Sequence, residues 1–420
     1  MIQCVPHPRH SFARFILAAS LFALRPAGAA AADWPQFLGP NRDGVAPDVN
    51  VTDLWPAGGP PVSWTKNVGQ GFGGPVVAEG AAVLFHRVGD EAVVECVDAS
   101  SGKPKWASKY PTSYRDDFGF DEGPRATPTI AGGRVYTFGA EGVLACWNLA
   151  DGAKQWAVDT KTEFRPAKGF FGVACSPLVE GGVVVLNVGG QDGAGVVAFN
   201  SADGNVRWKS TNDEAGYASP IAATLNGRRY VLSFNREGLV GLHPASGAER
   251  FRFRWRSRSD ASVNAATPLV IGDTVFLSAS YGTGAVLLRV RDDKPLEVWS
   301  GDDVLSNHYA TSVHRDGFLY GFDGRQEQTP RLRCVEAATG KVRWTEEDFG
   351  AGTVVLAGDR LLILTEKGEL VVAPATPQGF KPSGRARILK SVCRAHAAFA
   401  GGLLYARDQD TMVCVDLRGR

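Results

Sequence analysis

Residues that could bind a polar ligand recur in this chain just before a small-(Ser/Thr)-Pro step or a variant of it. Carboxylate, guanidinium, amide, imidazole and phenol groups occur there: Glu122, Arg125, Tyr217, Asn264, Asn307, His308, Tyr309 and His396. A second group stands in turns between apolar segments: Arg236, Arg325, Glu327 and Arg407. Guanidinium groups bind carboxylates through paired hydrogen bonds, and aromatic rings stack on flat ligands. These residue types predict a ligand such as a peptide segment or a glycan.

The elements that must position these residues are short strands in a repeated order. In residues 126–156, three apolar segments are separated by turns rich in glycine, which is typical of an antiparallel sheet. A small residue near the end of the third segment is followed six positions later by Gly and four positions after that by Trp. The spacing recurs in five units: Cys96-Gly102-Trp106, Cys146-Gly152-Trp156, Ala198-Gly204-Trp208, Gly241-Gly247-Phe251 and Cys334-Gly340-Trp344.

Four-stranded repeats of 43 to 53 residues predict a β-propeller. Seven units lie near residues 69–110, 126–160, 175–211, 218–255, 266–301, 310–348 and 350–389. The tail from Ala395 supplies only three strands, and the missing fourth strand is a lone segment around Trp64. An N-terminal strand that completes the last sheet closes the ring and removes its open edges. We therefore predict an all-β, eight-bladed propeller of four-stranded antiparallel blades.

The repeated Gly and Trp residues have a structural interpretation. Gly takes a positive-φ turn between the third and fourth strands of a blade. Trp then packs between neighbouring blades, and its indole N–H reaches a backbone carbonyl. The predicted docking residues are Trp64, Trp106, Trp156, Trp208, Trp299 and Trp344.

The propeller fold would bring the candidate binding residues together. Loops that lead into the first strands open on the same face as loops between second and third strands, so both groups should surround a central funnel. The alternative is that they are ordinary salt-bridged loop residues. His308 could act as a general base there, or could bond to the backbone of a neighbouring blade. No catalytic residue and no metal ligand is predicted.

The (Ala/Cys)-x-(Asp/Asn)-x3-Gly-x3-Trp spacing resembles the tryptophan-docking repeat of pyrroloquinoline quinone (PQQ) type propellers. The lead-in Trp34-Pro-Gln-Phe-Leu-Gly-Pro-Asn-Arg-Asp-Gly44 resembles the start of exported PQQ-binding-like β-propeller repeat proteins. The superfamily contains quinoprotein alcohol and glucose dehydrogenases and non-catalytic assembly factors of the BamB type. The resemblance, over about residues 33–420, implies the fold and two functional classes.

The resemblance implies a specific cofactor site for the enzymes of the superfamily. They hold PQQ between a Trp and an adjacent-cysteine disulfide, with Ca²⁺ on the quinone. This chain contains no adjacent cysteines and no CxxCH haem site. We therefore expect a non-catalytic binding or scaffold propeller, with a quinoprotein-type oxidoreductase that binds PQQ and calcium through different ligands as the alternative.

The cysteines and the charge pattern exclude other functions. Cys96, Cys146, Cys334 and Cys414 share one repeat position where other units have Ala198 or Gly241, which predicts packed thiols rather than disulfides or zinc ligands. The formal net charge is +1, so nothing favours nucleic acid. Residues 251–258, FRFRWRSR, could form a polyanion-binding stripe, but they also fit an outer strand with a charged edge.

The N-terminus predicts export. Residues 1–32 combine Arg9 and Arg14 with an apolar segment, residues 15–24, and a run of small residues, as in a secretory signal peptide. The apolar run is too short to span a bilayer, and no cysteine follows it for lipid attachment. We expect an irregular lead-in at 33–61, one propeller domain at 62–420, a periplasmic or secreted location and a monomer.

Overall fold

The computed structural model describes residues 1–3, 33–46, 49–53, 55–56, 58–167, 169–259 and 264–418. The predicted signal segment lies outside the described residues, apart from its first three positions. Within the described ranges the helical elements are an α-helix at Thr160–Phe164 and a 3-10 helix at Gln326–Gln328. None of the helices in these ranges has the length and apolar character needed to cross a membrane.

Eight antiparallel sheets, named blades 1 to 8, follow one another along the chain. Blade 1 comprises Val76–Ala78, Ala81–Val88, Glu91–Asp98 and Pro104–Pro111. Blade 2 comprises Thr129–Ala131, Arg134–Phe138, Val143–Asn148 and Lys154–Asp159. Blade 3 comprises Leu178–Glu180, Val183–Asn187, Val196–Asn200 and Val206–Ser210. Blade 4 comprises Ile221–Leu225, Arg228–Phe234, Gly238–Leu242 and Glu249–Arg254.

The second half of the ring has the same organisation. Blade 5 comprises Leu269–Ile271, Thr274–Ala279, Gly284–Arg291 and Lys294–Gly301. Blade 6 comprises Val313–Arg315, Phe318–Asp323, Arg331–Glu336 and Val342–Glu346. Blade 7 comprises Gly352–Ala357, Arg360–Thr365, Glu369–Pro374 and Gly384–Arg387, and blade 8 comprises Ala398–Ala400, Leu403–Arg407, Thr411–Asp416 and Val62–Asn67. First strands contact one another between blades 1 and 2, 2 and 3, 3 and 4, 6 and 7, and 8 and 1, which places them around the axis.

The predicted closure of the ring is confirmed. Val62–Asn67 pairs antiparallel with Thr411–Asp416, and Trp64 lies opposite Cys414. The eight-bladed, four-stranded architecture is therefore the one that the repeat predicts. The lead-in contains one strand that its composition does not predict: Val45–Ala46 runs parallel to Gly352–Ala357 and gives blade 7 a fifth strand.

Trp and Gly meet across the boundary between two blades. The Trp106 indole N–H of blade 1 donates to the Leu149 carbonyl of blade 2 at 2.8 Å. Gly152 of blade 2 has φ +73°, and a Cβ there would lie 2.4 Å from the Trp106 ring, so both conformation and space require glycine. Equivalent pairs with a carbonyl bond are Trp64–Gly102, Trp156–Gly204, Trp208–Gly247 and Trp299–Gly340. Blade 5 lacks this glycine, and blade 4 carries Phe251 in place of Trp.

The cysteines occupy buried positions in the blades and in the loops that lead into them. Cys96 lies opposite Trp106 and Cys146 lies opposite Trp156 in the ladders between third and fourth strands. All six cysteines of the described ranges are free and buried. Burial raises the pKa of each thiol, to about 12 for Cys175, so they are protonated at neutral pH. The predicted packed thiols are confirmed.

The arginine stripe is the outer edge of blade 4. Phe251 is buried, whereas Arg252 pairs with Asp213 at 2.8 Å and Glu249 at 2.7 Å. Arg254 pairs with Glu237 at 3.0 Å. Carboxylates therefore neutralise much of this edge, as expected for a charged outer strand.

Candidate functional site

A chain of hydroxyl hydrogen bonds holds the loops that lead into the first strands. The Thr127 N–H donates to Ser176 Oγ at 2.9 Å, and the Ser176 N–H donates to Ser219 Oγ at 2.9 Å. The same contact joins Gly74 to Thr127, Ser219 to Thr267 and Thr267 to Thr311. The Ser/Thr of the small-(Ser/Thr)-Pro step thus links each blade to the next, from blade 1 to blade 6.

The lead-in lies across the axial channel. Trp34 pairs with Val77 of blade 1, and the Ile130 N–H of blade 2 donates to the Pro35 carbonyl at 2.7 Å. Arg42 is 2% exposed and donates to three carbonyls of blades 3 and 4, those of Ser176, Pro177 and Pro220. Its Nε donates to Gln36 Oε1 at 2.8 Å. Burial lowers the Arg42 pKa to about 9, so the side chain is still charged at pH 7.

In front of this lead-in is a cavity of about 190 Å³. Its wall combines aromatic rings with a few polar groups: Phe37, Phe72, Phe120, Arg125, Phe171, Ala174, Ser176, Tyr217, Ser219, Ala265, Tyr281, His308, Tyr309, Gln326, Glu327, Arg394 and His396. Two guanidinium groups face one carboxylate in this set. The cavity therefore offers apolar area together with a few charged and polar groups, which suits a ligand with an apolar part and a polar group.

Arg394 is held from one side. Its Nε donates to Glu366 Oε1 at 2.8 Å, and the Tyr309 hydroxyl donates to the same oxygen at 2.9 Å. The guanidinium lies over the rings of Phe72, at 5.3 Å, and Phe120, at 5.4 Å. Burial, followed by the Glu366 carboxylate, raises the Tyr309 pKa well above its ordinary value. Tyr309 therefore stays a hydroxyl donor at neutral pH.

Arg125 has most of its donors occupied. Its Nε donates to the Phe171 carbonyl at 2.9 Å, and Nη2 donates to the Asp121 carbonyl at 3.2 Å and pairs with Asp116 at 3.3 Å. The guanidinium also lies over Phe72 and Phe171. Arg125 fixes two loops of the cavity wall besides contributing charge to it.

The two histidines differ in their partners. His308 Nδ1 is 2.6 Å from Gln326 Oε1 in the same blade, so its partner is a side chain rather than a neighbouring backbone. His396 is 8% exposed and forms no hydrogen bond with a described residue; Phe37 packs edge-on against it at 4.9 Å. Burial lowers both pKa values, that of His396 to about 4, so both rings are neutral at pH 7.

Tyr281 shows backbone strain at the site. Its φ of +63° is in the left-handed region, which costs a bulky residue about 1–2 kcal/mol. The Tyr281 ring lies against His308 at 5.7 Å and under the Arg325 guanidinium at 4.3 Å. Strained residues of this kind cluster at binding sites, where the surrounding structure holds them in place.

Exposed phenylalanines surround the mouth of the cavity. We call Phe118, Phe120 and Phe170 the rim; their exposed fractions are 53%, 45% and 38%. The rim is continuous with the cavity wall, because Phe118 lies 5.2 Å from Phe171 and Phe171 lies 5.9 Å from Tyr217. Clustered exposed aromatic rings are characteristic of interaction surfaces.

Six of the twelve predicted binding residues line the cavity: Arg125, Tyr217, His308, Tyr309, Glu327 and His396. Of the others, Glu122 pairs with Arg87 and Arg115, Arg236 pairs with Glu214, and Arg325 stacks on Tyr281. Asn264, Asn307 and Arg407 are buried and donate to backbone carbonyls. Their contacts stabilise loops. Binding by any of the twelve stays a prediction.

Sequence reasoning missed several cavity residues. Phe37 belongs to the lead-in, which lacks the strand periodicity that would show which side chains face the axis. Ser176 and Ser219 were recognised only as parts of a repeat. The pair Phe118 and Phe120 in a loop between blades offered a usable signal, since aromatic residues there have no strand to pack on.

The residues present do not fit a calcium-bound quinone site. Across the residues that the structure describes, no three His, Cys, Asp or Glu side chains lie close enough to hold a metal ion. Glu327 is the carboxylate of the cavity wall, and Glu366 already accepts from Arg394 and Tyr309. These side chains therefore support no reaction step through PQQ.

Comparisons with known proteins agree with this architecture. A family model described as outer membrane protein assembly factor BamB matches residues 50–163 and 90–346. BamB from Moraxella catarrhalis is 16% identical with a TM-score of 0.64, covering 86% of this chain and 98% of that one. Quinohemoprotein alcohol dehydrogenase from Comamonas testosteroni is 13% identical with a TM-score of 0.66, covering 93% and 81%.

At these identities the solved structures show a shared fold and nothing about activity. No curated protein sequence matches the chain significantly. The family model, in contrast, spans well over half of the sequence. The chain belongs to the family of outer membrane protein assembly factor BamB, a PQQ-like β-propeller.

Proposed function

We propose that this protein is an exported, non-catalytic binding propeller that captures a segment of a partner protein in the cavity and on the rim. The observation that carries the proposal is the continuity of the exposed rim with the aromatic cavity wall. Exposed rings gain about 25 cal/mol per Å² when a partner covers them. The assembly role in the name of the family points in the same direction.

Export is part of the proposal. Residues 1–32 would direct the chain out of the cytoplasm and be removed near the run of small residues at 27–32. Expression with the native N-terminus in a Gram-negative host, followed by N-terminal sequencing of the periplasmic protein, tests it. A start near Asp33 is expected, and an uncleaved cytoplasmic product would contradict it.

Capture of a protein segment can be tested with arrays of random peptides anchored through either end. We expect a subset of peptides to bind the wild type and to bind a Phe118→Ser/Phe120→Ser variant at least about tenfold more weakly. The matched control is Leu296→Ser/Val298→Ser, which removes two exposed apolar side chains, 52% and 40% exposed, from the outer strand of blade 5. Equal binding by both variants, or no bound peptide, would reject the proposal.

Binding experiments with two further sets of ligands, glycans and PQQ with Ca²⁺, distinguish the proposed function from its alternatives. An array of glycans should show no binding that depends on the rim. Titration with PQQ and Ca²⁺ should change neither the absorbance spectrum of PQQ nor the melting temperature of the protein. A tight, stabilising complex with PQQ that reduces an acceptor dye would replace the proposed function by the oxidoreductase alternative.

A further inference from the structure

Arg325 is a half-buried cation beside the cavity that has no ion partner. It precedes the 3-10 helix Gln326–Gln328 in the loop between the second and third strands of blade 6. No hydrogen bond or ion pair joins its guanidinium to any residue that the structure describes. The contact that holds it is the ring of Tyr281 in blade 5, at 4.3 Å. Its donors are therefore available to a ligand.

The two carboxylates nearest to Arg325 in the sequence have other partners. Asp323 accepts from the Ser306 N–H at 2.7 Å and pairs with Arg333 at 3.0 Å. Glu327 accepts from Nε2 of the preceding glutamine at 2.9 Å. Neither acid lies within ion-pair distance of Arg325, so a ligand can supply the missing anion.

Stacking on Tyr281 fixes the plane of the Arg325 guanidinium and leaves its edge open. The N–H groups of a guanidinium lie in its plane, so a ring against its face blocks none of them. Tyr281 is itself held in place, with φ +63° and its ring in a T-shaped contact with His308 at 5.7 Å. A fixed plane with free N–H groups can bind the two oxygens of a carboxylate through paired hydrogen bonds.

The position of Arg325 relative to the rim gives the ligand a second feature. Phe118 and Phe120 lie in the loop between blades 1 and 2, and Phe170 lies in the loop between blades 2 and 3. Blade 6 is four blades away from blade 2 in a ring of eight, so Arg325 stands across the axis from the rim. Phe120 and Tyr281 both line the cavity between these sides. A segment that contacts the rim and crosses the cavity mouth therefore meets Arg325.

We infer that the captured segment carries an Asp or Glu side chain that binds Arg325, several residues away from an apolar side chain on the rim. The inference rests on the proposed function and narrows it to segments that combine an acidic and an apolar residue. A side-chain carboxylate can reach Arg325 from the interior of a polypeptide, so no free chain end is required. Arg325 thus determines specificity, and the rim supplies apolar contact area.

The experiment uses peptides that are acetylated and amidated at their ends, so that charge comes from side chains alone. Each peptide contains one Phe and one Glu, separated by a spacer of about two to six Gly and Ser residues, because an extended residue spans about 3.3 Å. A second series has Gln in place of Glu. Binding to the wild type is measured by fluorescence anisotropy. We expect the Glu form to bind at least about fivefold more tightly than the Gln form at one or more spacings.

Arg325→Met should remove the preference for Glu over Gln and keep the binding that depends on the rim. The matched control is Arg343→Met in the outer strand of the same blade. Arg343 also lies over a ring, Phe318 at 6.0 Å, but it pairs with Glu336 at 3.9 Å. This control should retain the full preference. The Phe118→Ser/Phe120→Ser variant should weaken binding of both peptide forms by a similar factor.

The Gln series distinguishes failure of the inference from failure of the proposed function. Equal binding of the Glu and Gln forms by the wild type would overturn the acidic segment and leave peptide capture standing, and this comparison requires no variant. A preference that persists in Arg325→Met would assign the carboxylate to another cation and overturn the role of Arg325. Absence of binding by every peptide would reject the proposed function together with the inference.

Discussion

Arg42 and Arg394 both lie near the propeller axis, and their environments are opposite. Arg42 directs Nε, Nη1 and Nη2 to acceptors within the protein and is 2% exposed. Arg394 has one nitrogen bonded to Glu366, and its side chain is 19% exposed at the cavity. The same residue type therefore closes the channel behind the cavity and offers open donors within it.

This difference gives a criterion for distinguishing side chains that stabilise the fold from side chains that are available to a ligand. Where the donors of a buried side chain end on acceptors within the protein, removal of the side chain leaves those acceptors unsatisfied. Where donors stay open, removal affects the bound ligand more than stability. Arg407 is intermediate, because its Nε and Nη2 donate to the Asp408 and Gly69 carbonyls whereas its buried Nη1 has no partner among the described residues. The Nε2 atom of His396 is likewise buried without a partner among these residues.

The largest effect is expected for Arg42→Met. The Ser176, Pro177 and Pro220 carbonyls would lose their charged donor, so the free energy of unfolding should fall by at least about 3 kcal/mol. Arg394→Met, the matched substitution in the cavity, should lower it by only about 1.5 kcal/mol, because it unpairs one carboxylate, Glu366, which keeps its bond from Tyr309. Urea denaturation measures the free energy of unfolding of both variants. Similar decreases for Arg42→Met and Arg394→Met would contradict the proposed difference between the two residues.

His396 should make the free energy of unfolding depend on pH. Its folded pKa of about 4 is below the ordinary value of 6.5, so between these pH values the unfolded chain takes up a proton that the folded protein does not. The stabilisation is complete above pH 6.5 and falls by about 3 kcal/mol as the pH drops to 4. His396→Gln should lose less stability over this range, because it has no such group. His86, whose pKa is lowered to about 4 mainly by burial, is present in both proteins, so it cancels in the difference. Parallel pH curves would contradict the prediction.

An intermediate effect is expected at the blade boundaries. Gly152→Ala would add a Cβ 2.4 Å from the Trp106 ring at φ +73°, and we expect a loss of about 2–3 kcal/mol from strain and a displaced indole. The control is Gly132→Ala in the same blade, with φ +58° and open space around the added carbon, where about 1 kcal/mol is expected. Thermal unfolding compares them, and equal losses would show that the Trp contact is dispensable.

The smallest effect is expected on the arginine edge of blade 4. Arg254 is largely exposed and pairs with Glu237 at 3.0 Å, so Arg254→Ala should change stability by no more than about 0.5 kcal/mol. Peptide binding in the cavity should not change. A loss of binding in this variant would move the interaction surface from the cavity to the edge.

The blades and the cavity differ in how much of their structure the sequence could predict. The spacing Cys146-Gly152-Trp156 and its copies predicted eight blades, and the lone segment around Trp64 predicted the closing strand. For the cavity, the residue types in its loops were recognised, but six of the twelve candidates make fold contacts outside it. Asn307 illustrates the reason, since its amide donates to the Phe322 carbonyl and its side-chain oxygen accepts from Ser312. Local sequence cannot show that a polar side chain is already satisfied.

By itself the sequence determined the fold and the family, because blade formation depends on strand periodicity, turn glycines and docking tryptophans that recur at fixed spacing. The tertiary structure alone decided which polar groups remain available to a ligand. The partners of Arg394 and Arg42 come from other blades, Glu366 from blade 7 and the carbonyls from blades 3 and 4. The path of the lead-in across the channel likewise depends on contacts far apart in sequence. Strand pattern is a local property, whereas hydrogen-bond satisfaction depends on distant neighbours.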